Sequence, residues 1–249
     1  MKEKLMRKIK LIILFSIFTL SNLMAEEGGT SFASNLLGYG GVLVTPTAYM
    51  PGDGTITATF SRIPKLYAAK LQPYQTSSVY TIDAGVFSFL EGFVSLVRPD
   101  HFKGGTGDRT AGLRLNFLQE TAKRPALTVG MQDFFAIEQL DLEPSSAQVF
   151  ASLYMVGSKS FTLHNRRIFT HLGYGTDWLP ANTSQLVGLF GAMEIETLPK
   201  VFLMLENDAK KWNLGLRTRL FSHLQLVAGW WGLEEFSWSV SGSFNLQGL

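Results

Sequence analysis

Residues 55–61, Thr-Ile-Thr-Ala-Thr-Phe-Ser, alternate hydroxyl and apolar side chains at every step. A period of two puts the two sets on opposite faces of an extended strand. The pattern returns from Thr110 to Phe117, where Ala111, Leu113, Leu115 and Phe117 oppose Thr110, Gly112, Arg114 and Asn116. It returns again with Trp212, Leu214, Leu216 and Leu220 against Asn213, Gly215, Arg217 and Arg219. Near the end, Phe236, Trp238, Val240 and Phe244 face away from Ser237, Ser239, Ser241 and Ser243. Carried through the less regular stretches, the alternation predicts strands near 55–62, 77–87, 92–98, 109–118, 126–134 and 147–158. A second set follows near 167–175, 186–195, 200–207, 212–220, 224–231 and 235–244.

That reading gives twelve strands, so the last runs antiparallel to the first and can close the sheet. Closure matters in lipid, where each unpaired edge N–H or C=O costs several kcal/mol. The connections 63–76, 99–108, 135–146 and 176–185 are long, whereas 88–91, 119–125, 159–166, 196–199 and 221–223 are shorter. Long and short connections alternate in membrane barrels, the long ones outside the cell. The links 208–211 and 232–234 break the trend as tight hairpins. The expected fold class is therefore all-β, a transmembrane antiparallel up-and-down barrel over residues 54–249.

Composition agrees with a membrane barrel. Charged residues are 17% of the chain, against about 25% in ordinary soluble domains. Lys2, Lys4, Arg7, Lys8 and Lys10 precede the apolar run Leu11–Leu20, and Leu23-Met24-Ala25 offers a cleavage site. This is the order of a signal peptide over residues 1–25, with cleavage expected near Ala25. Setting those residues aside removes five basic side chains and Glu3, leaving 17 basic against 19 acidic. The apparent basicity belongs to the signal, and no nucleic-acid partner is expected. No cysteine is present, which excludes disulfides and thiolate metal sites. Residues 26–53 are expected to be a periplasmic or lumen-plugging segment.

A soluble exported barrel would turn its apolar face inward. The non-apolar faces here are mostly small and uncharged, which suits a lumen. Aromatic residues at strand ends, among them Phe60, Tyr80, Phe117, Tyr174, Trp230 and Phe244, suit interfacial girdles. The lumen-facing polar candidates are Asp83, Arg114, Asn116, Gln132, Glu206, Asp208, Asn213, Arg217 and Arg219. Glu206 and Asp208 are followed across a short turn by Asn213, Arg217 and Arg219 on one face, close enough to pair across strands. Such a set makes either a selective constriction or a salt-bridge network that holds the barrel shut, and the network is the preferred reading. In the first external loop, Lys65, Tyr67, Lys70 and Tyr74 are the residue types that contact sugar or lipopolysaccharide, though a solvated loop explains them as well.

Barrel phospholipases need a His and a Ser two residues apart. Lys103, Arg166, Gly173 and Gln225 follow the four histidines at that spacing instead. His171 falls on the lumen side with no carboxylate partner visible in the sequence. No G-x-S-x-G elbow or metal-binding His pair occurs, so no catalytic residue, metal or cofactor is expected.

The segment Gly38-Tyr39-Gly40-Gly41-Val42-Leu43-Val44-Thr45-Pro46-Thr47-Ala48-Tyr49-Met50, followed by Gly54-Thr55, resembles the opening of the YjbH-like (GfcD-like) outer-membrane proteins. Pro125–Asp133, Tyr154–Lys159, Leu172–Gly175 and Glu206–Asp208 with Trp212–Arg217 extend the resemblance. It implies a Gram-negative outer-membrane barrel tied to exopolysaccharide or capsule production. The larger members carry further domains, which are not expected in this chain. The resulting expectation is a non-enzymatic barrel supporting exopolysaccharide assembly or secretion. Its expected partners are outer-membrane lipids and lipopolysaccharide, with polysaccharide and periplasmic export proteins beside them. The alternatives are a lipid-modifying barrel of the phospholipase or deacylase kind and a small diffusion pore.

Overall fold

A computed structural model describes residues 33–64, 76–100, 108–134, 150–179, 181, 185–220 and 223–246. The strands are β1 (Thr55–Ile63), β2 (Ser77–Phe87), β3 (Leu90–Pro99), β4 (Asp108–Leu118), β5 (Ala126–Gln132) and β6 (Ser152–Leu163). They continue with β7 (Arg166–Thr176), β8 (Gly188–Leu198), β9 (Val201–Asn207), β10 (Trp212–Leu220), β11 (Leu224–Trp231) and β12 (Glu235–Asn245). Each pairs antiparallel with its sequence neighbours, and β1 pairs with β12 from Thr55↔Asn245 to Arg62↔Trp238. The protein is a closed twelve-stranded barrel. No helix among the described residues is long and apolar enough to cross a membrane.

The expected strands are all present, three of them (77–87, 212–220 and 224–231) with the boundaries read from the sequence. The largest departure is β6, expected at 147–158 and found at Ser152–Leu163. Val156 to Ser160 are buried without a break, so the alternation that marks a strand is interrupted there. The expected 159–166 connection is in fact a tight hairpin with His164 and Asn165 at φ 48 and 58. Two left-handed residues in a row match the right-handed twist of the paired strands.

The barrel's exterior is apolar. Ile82, Val94, Leu113, Met155, Leu203 and Leu216 are exposed in mid-wall. Aromatic rings ring both ends: Tyr80, Tyr174, Trp178, Trp230 and Phe236 toward the long connections, Phe87, Phe89, Phe117 and Phe244 toward the short ones. Inside, the walls carry Thr57, Thr59, Asp83, Glu91, Arg114, Asn213 and Arg217, all buried. This is the inversion expected of a barrel whose solvent is lipid.

The lumen has an apolar core nonetheless, because a second piece of chain occupies it. Leu36, Val42, Leu43, Val44 and Ala48 are 0% exposed. The first four, with Leu37 and Tyr39, pack on the inward side chains Ile63, Val79, Phe93, Met204, Val227 and Trp231. Ala48 and Tyr49 pack against Tyr154, Phe169, Phe190 and Phe202 on the opposite side. Removing a side chain of this size from water contributes about 1.5–3 kcal/mol.

Candidate functional site

The site is the lumen and the segment from Ala33 to Met50 that fills it. Asn35 gives the segment its local shape. Its Oδ1 accepts from the backbone N–H of Leu37 at 2.8 Å, and its Nδ2 donates to the Val44 carbonyl at 3.2 Å. The chain then folds back through bridges Ser34↔Gly40 and Gly41↔Pro46, with Val42 N–H on the Thr45 carbonyl at 2.9 Å closing the tip. Gly38 sits at φ +87 with the Thr81 side chain against its α-carbon, a position that tolerates no Cβ.

The segment lies in the lumen as a bent loop. Near its start, the Ser34 carbonyl accepts from Gln225 Nε2 at 2.6 Å, beside the short-turn end of β11. The tip reaches β9, where the Glu206 carboxylate accepts from three successive backbone N–H groups. Leu43 lies at 3.0 Å, Val44 at 2.9 and 3.1 Å, and Thr45 at 3.1 Å. Asn213 Nδ2 donates to the same carboxylate at 2.8 Å. Converging amides form a ready acceptor pocket for an anion, here filled by a side chain of the wall.

The returning arm is held by two wall clusters. In the first, Arg114 and Glu91 form an ion pair with both side chains fully buried. Arg114 also donates to the Thr47 carbonyl and, at 3.3 Å, to that of Tyr49, while Glu91 accepts from Gly40 N–H at 2.9 Å. Asn116 Nδ2 and Thr128 Oγ1 both donate to the Ala48 carbonyl at 2.9 Å. Asp83 lies buried within electrostatic reach of Glu91 and Arg114. In the second cluster, Ala48 N–H donates to Ser158 Oγ at 2.6 Å. Ser158 Oγ lies 2.8 Å from His171 Nδ1, His171 Nε2 lies 3.3 Å from Glu194, and Glu194 lies 2.6 Å from Arg217. The Glu194 carboxylate accepts from Nε2–H, and Ser158 Oγ, which accepts from Ala48 N–H, meets Nδ1 on the other side of the ring. The four side chains form one connected chain from the lumenal segment to the wall.

Tyr39 and Tyr49 complete the hold. The Tyr39 hydroxyl pairs with Gln132 Oε1, and its ring stacks on Phe93 at 4.6 Å. The Tyr49 hydroxyl donates to Glu120 Oε2 at 2.7 Å. Burial and the adjacent Glu120 carboxylate push the Tyr49 phenol well above its ordinary pKa, so it stays a donor.

Of the expected cross-strand partners of Glu206 and Asp208, Asn213 meets both, whereas the register takes Arg217 and Arg219 elsewhere. Asn213 stands opposite Glu206, and Arg217 stands opposite Phe202, whose ring it covers at 4.8 Å. Arg217 therefore reaches past β9 to Glu194 on β8. Asp208 instead accepts from Gln185 Nε2 at 2.9 Å, Asn213 Nδ2 at 3.3 Å and Trp231 Nε1 at 3.2 Å, tying the long-connection rim together. Arg219 shares their side of β10 but lies at its exposed short-turn end, its backbone N–H on the Lys200 carbonyl at 3.2 Å. His171 has the carboxylate partner that the sequence did not reveal. Glu91, Ser158, Glu194 and Glu120 were absent from the expected set. Glu194 shares the inward parity of Phe190 and Ala192, which is a signal that could have found it. Lys65, Tyr67, Lys70 and Tyr74 lie outside the described residues. Among the described residues no group of three or more His, Cys, Asp or Glu side chains could hold a metal.

A family model described as exopolysaccharide biosynthesis protein YbjH matches residues 33–200. The chain belongs to the YjbH family. The family match takes in the lumenal segment, the first cluster and, of the second, Ser158, His171 and Glu194, while Arg217 lies beyond it. Glu206, which receives the tip, lies just beyond it. No curated protein sequence matches this YjbH-family chain. Among solved structures it is similar to an outer membrane channel from Pseudomonas putida F1, at 11% identity and a TM-score of 0.40. That alignment covers 78% of this chain and 96% of the channel.

Proposed function

We propose that this chain is a non-enzymatic outer-membrane barrel that supports exopolysaccharide assembly or secretion, with its lumen closed by its own N-terminal segment. Membership in a family described as exopolysaccharide biosynthesis proteins carries the first part. The apolar exterior with two aromatic girdles supports the outer membrane, with the short turns and the entry to β1 on the periplasmic side. That side is where periplasmic export proteins would dock.

The occupied lumen supports the closed state and argues against a small diffusion pore. A twelve-stranded barrel is narrow, and here apolar side chains with 0% exposure fill its middle. The Ser158–His171–Glu194 chain has the composition of a hydrolase triad, yet Ser158 Oγ is buried and accepts the Ala48 N–H. That leaves no room for a substrate carbonyl, so an anchoring role for the three residues is the better reading. The test is deletion of the gene in its native host with plasmid complementation. Extracellular polymer falling on deletion and returning with the intact chain is the expected result. Unchanged polymer, or recovery of the protein outside the outer-membrane fraction, contradicts the proposal.

A further inference from the structure

The outer wall over β12, β1, β2, β3 and β4 carries a groove of about 740 Å³. Its floor follows one outward row of the sheet, Gly242↔Ala58↔Ile82↔Val94↔Ala111. Three of those five residues are Gly or Ala, so the floor is low at both its ends, and Ile82 and Val94 stand between them. A Cβ placed on Gly242 would meet nothing within 4 Å. One step toward the long connections, the next row is Val240↔Phe60↔Tyr80↔Leu96↔Arg109. Phe60 and Tyr80 stand 5.2 Å apart as one flank of the groove, and Arg109 lines its upper end.

Among the described residues two cations at that upper end have no ion-pair partner. Arg62, also facing outward, is neutralised by Asp100 through contacts of 2.8 and 2.5 Å. Arg98 follows Leu96 by two residues on the same face and is exposed, which makes it a diagonal neighbour of Arg109. Neither Arg98 nor Arg109 makes an ion pair among the described residues, and the buried Nε of Arg109 has no hydrogen-bond partner there. Two guanidinium groups thus sit at the girdle level above an apolar furrow on a surface that faces lipid. Guanidinium is the side chain that matches phosphate by paired N–H donors.

We propose that this groove is a binding site for a phosphorylated acyl lipid of the outer leaflet, of the lipid A type. An acyl chain lies along the row from Gly242 to Ala111 beside the Phe60 and Tyr80 rings, and a phosphate is held by Arg98 and Arg109. The size fits, since small-molecule sites span roughly 300–1,000 Å³. The site rests on the outer-membrane reading above, because only there does the long-connection rim meet such a lipid.

Native mass spectrometry of the full chain in mild detergent tests it, with diphosphorylated and dephosphorylated lipid A as probes. The wild type binds the diphosphorylated form, and the Arg98→Ala/Arg109→Ala variant binds it about 30-fold more weakly, each basic side chain at an anionic lipid surface contributing roughly fivefold. Gly242→Leu fills the furrow and weakens both probes, while Leu216→Ala on the far wall changes neither. Heat-modifiable mobility on gels confirms that each variant is folded. Equal binding of the two probes, or variants that retain the wild-type affinity, overturns the proposal. A lipid-free dimer that Gly242→Leu abolishes also overturns it, by assigning the groove to a second copy. Binding in detergent is read wherever the cell places the protein, so its failure is distinct from failure of the outer-membrane reading.

Discussion

Both carboxylate oxygens of Glu206 accept the backbone N–H of Val44, at 2.9 and 3.1 Å, with no solvent reaching either residue beyond 1% exposure. The contact joins residues far apart in sequence, and it fixes how far the lumenal segment rises. Glu206→Ala leaves the N–H groups of Leu43, Val44 and Thr45 without that acceptor. Each unsatisfied buried donor costs about 1–3 kcal/mol, so a loss of about 3 kcal/mol is expected after local relaxation. Urea unfolding in liposomes, followed by tryptophan fluorescence, reads it. Glu206→Gln keeps one acceptor oxygen and should lose about half as much. A midpoint unchanged in Glu206→Ala would show that the tip is not held there.

Arg114 and Glu91 behave differently because, among the described residues, each is the other's only ion-pair partner. Arg114→Met strands a buried carboxylate and removes the donor to the Thr47 carbonyl, at a cost of about 3–5 kcal/mol. Adding Glu91→Gln to Arg114→Met removes the stranded charge and should restore part of that loss. If the double variant is less stable than Arg114→Met, the pair is not acting as a unit.

The serine and histidine of the second cluster predict no chemistry. Ser158→Ala and His171→Gln each remove one link between Ala48 and Glu194, and each should lower stability by about 1–2 kcal/mol. Wild type and variants should be alike in showing no ester hydrolysis. Covalent labelling of Ser158 by a fluorophosphonate in the folded wild type would contradict the anchoring role.

Phe93 lies flat against the wall because its cross-strand neighbour is Gly112, where an added Cβ would overlap the ring. Gly112→Val should therefore destabilise the barrel by about 1–3 kcal/mol through overpacking. The second-site change Phe93→Leu should recover some of it. Stability unaffected by Gly112→Val would mean that the ring has another resting place.

Much of this barrel was legible in the sequence, and the failures have physical reasons. Strands such as β10 and β11 face lipid on one side and a packed lumen on the other, so their alternation is strict and their boundaries came out as found. In β6 the alternation fails at Ser158-Lys159-Ser160, since the 119–125 connection covers Lys159. Lys159 Nζ donates to Glu120 Oε1 at 3.0 Å and to the Thr121 carbonyl at 2.7 Å, contacts that no local pattern announces. Face assignment placed Asp83, Arg114, Asn116, Gln132, Glu206, Asn213 and Arg217 on the buried side, but parity does not name partners. The one-strand offset between Arg217 and Glu194 follows from register, which a period of two leaves open. Glu91 looked like part of a turn because β3 begins two residues earlier than its alternation suggests. The lumenal segment has no period at all, only the Gly and Pro residues that let it bend.

The barrel is closed from within by the segment Ala33–Met50. Single-channel recording of the full chain in planar bilayers tests it most directly, with wild type and Glu206→Ala side by side. The wild type should be silent, and the variant, whose tip is released from β9, should show intermittent conductance steps. Steady, stepwise conductance of the wild type would contradict it.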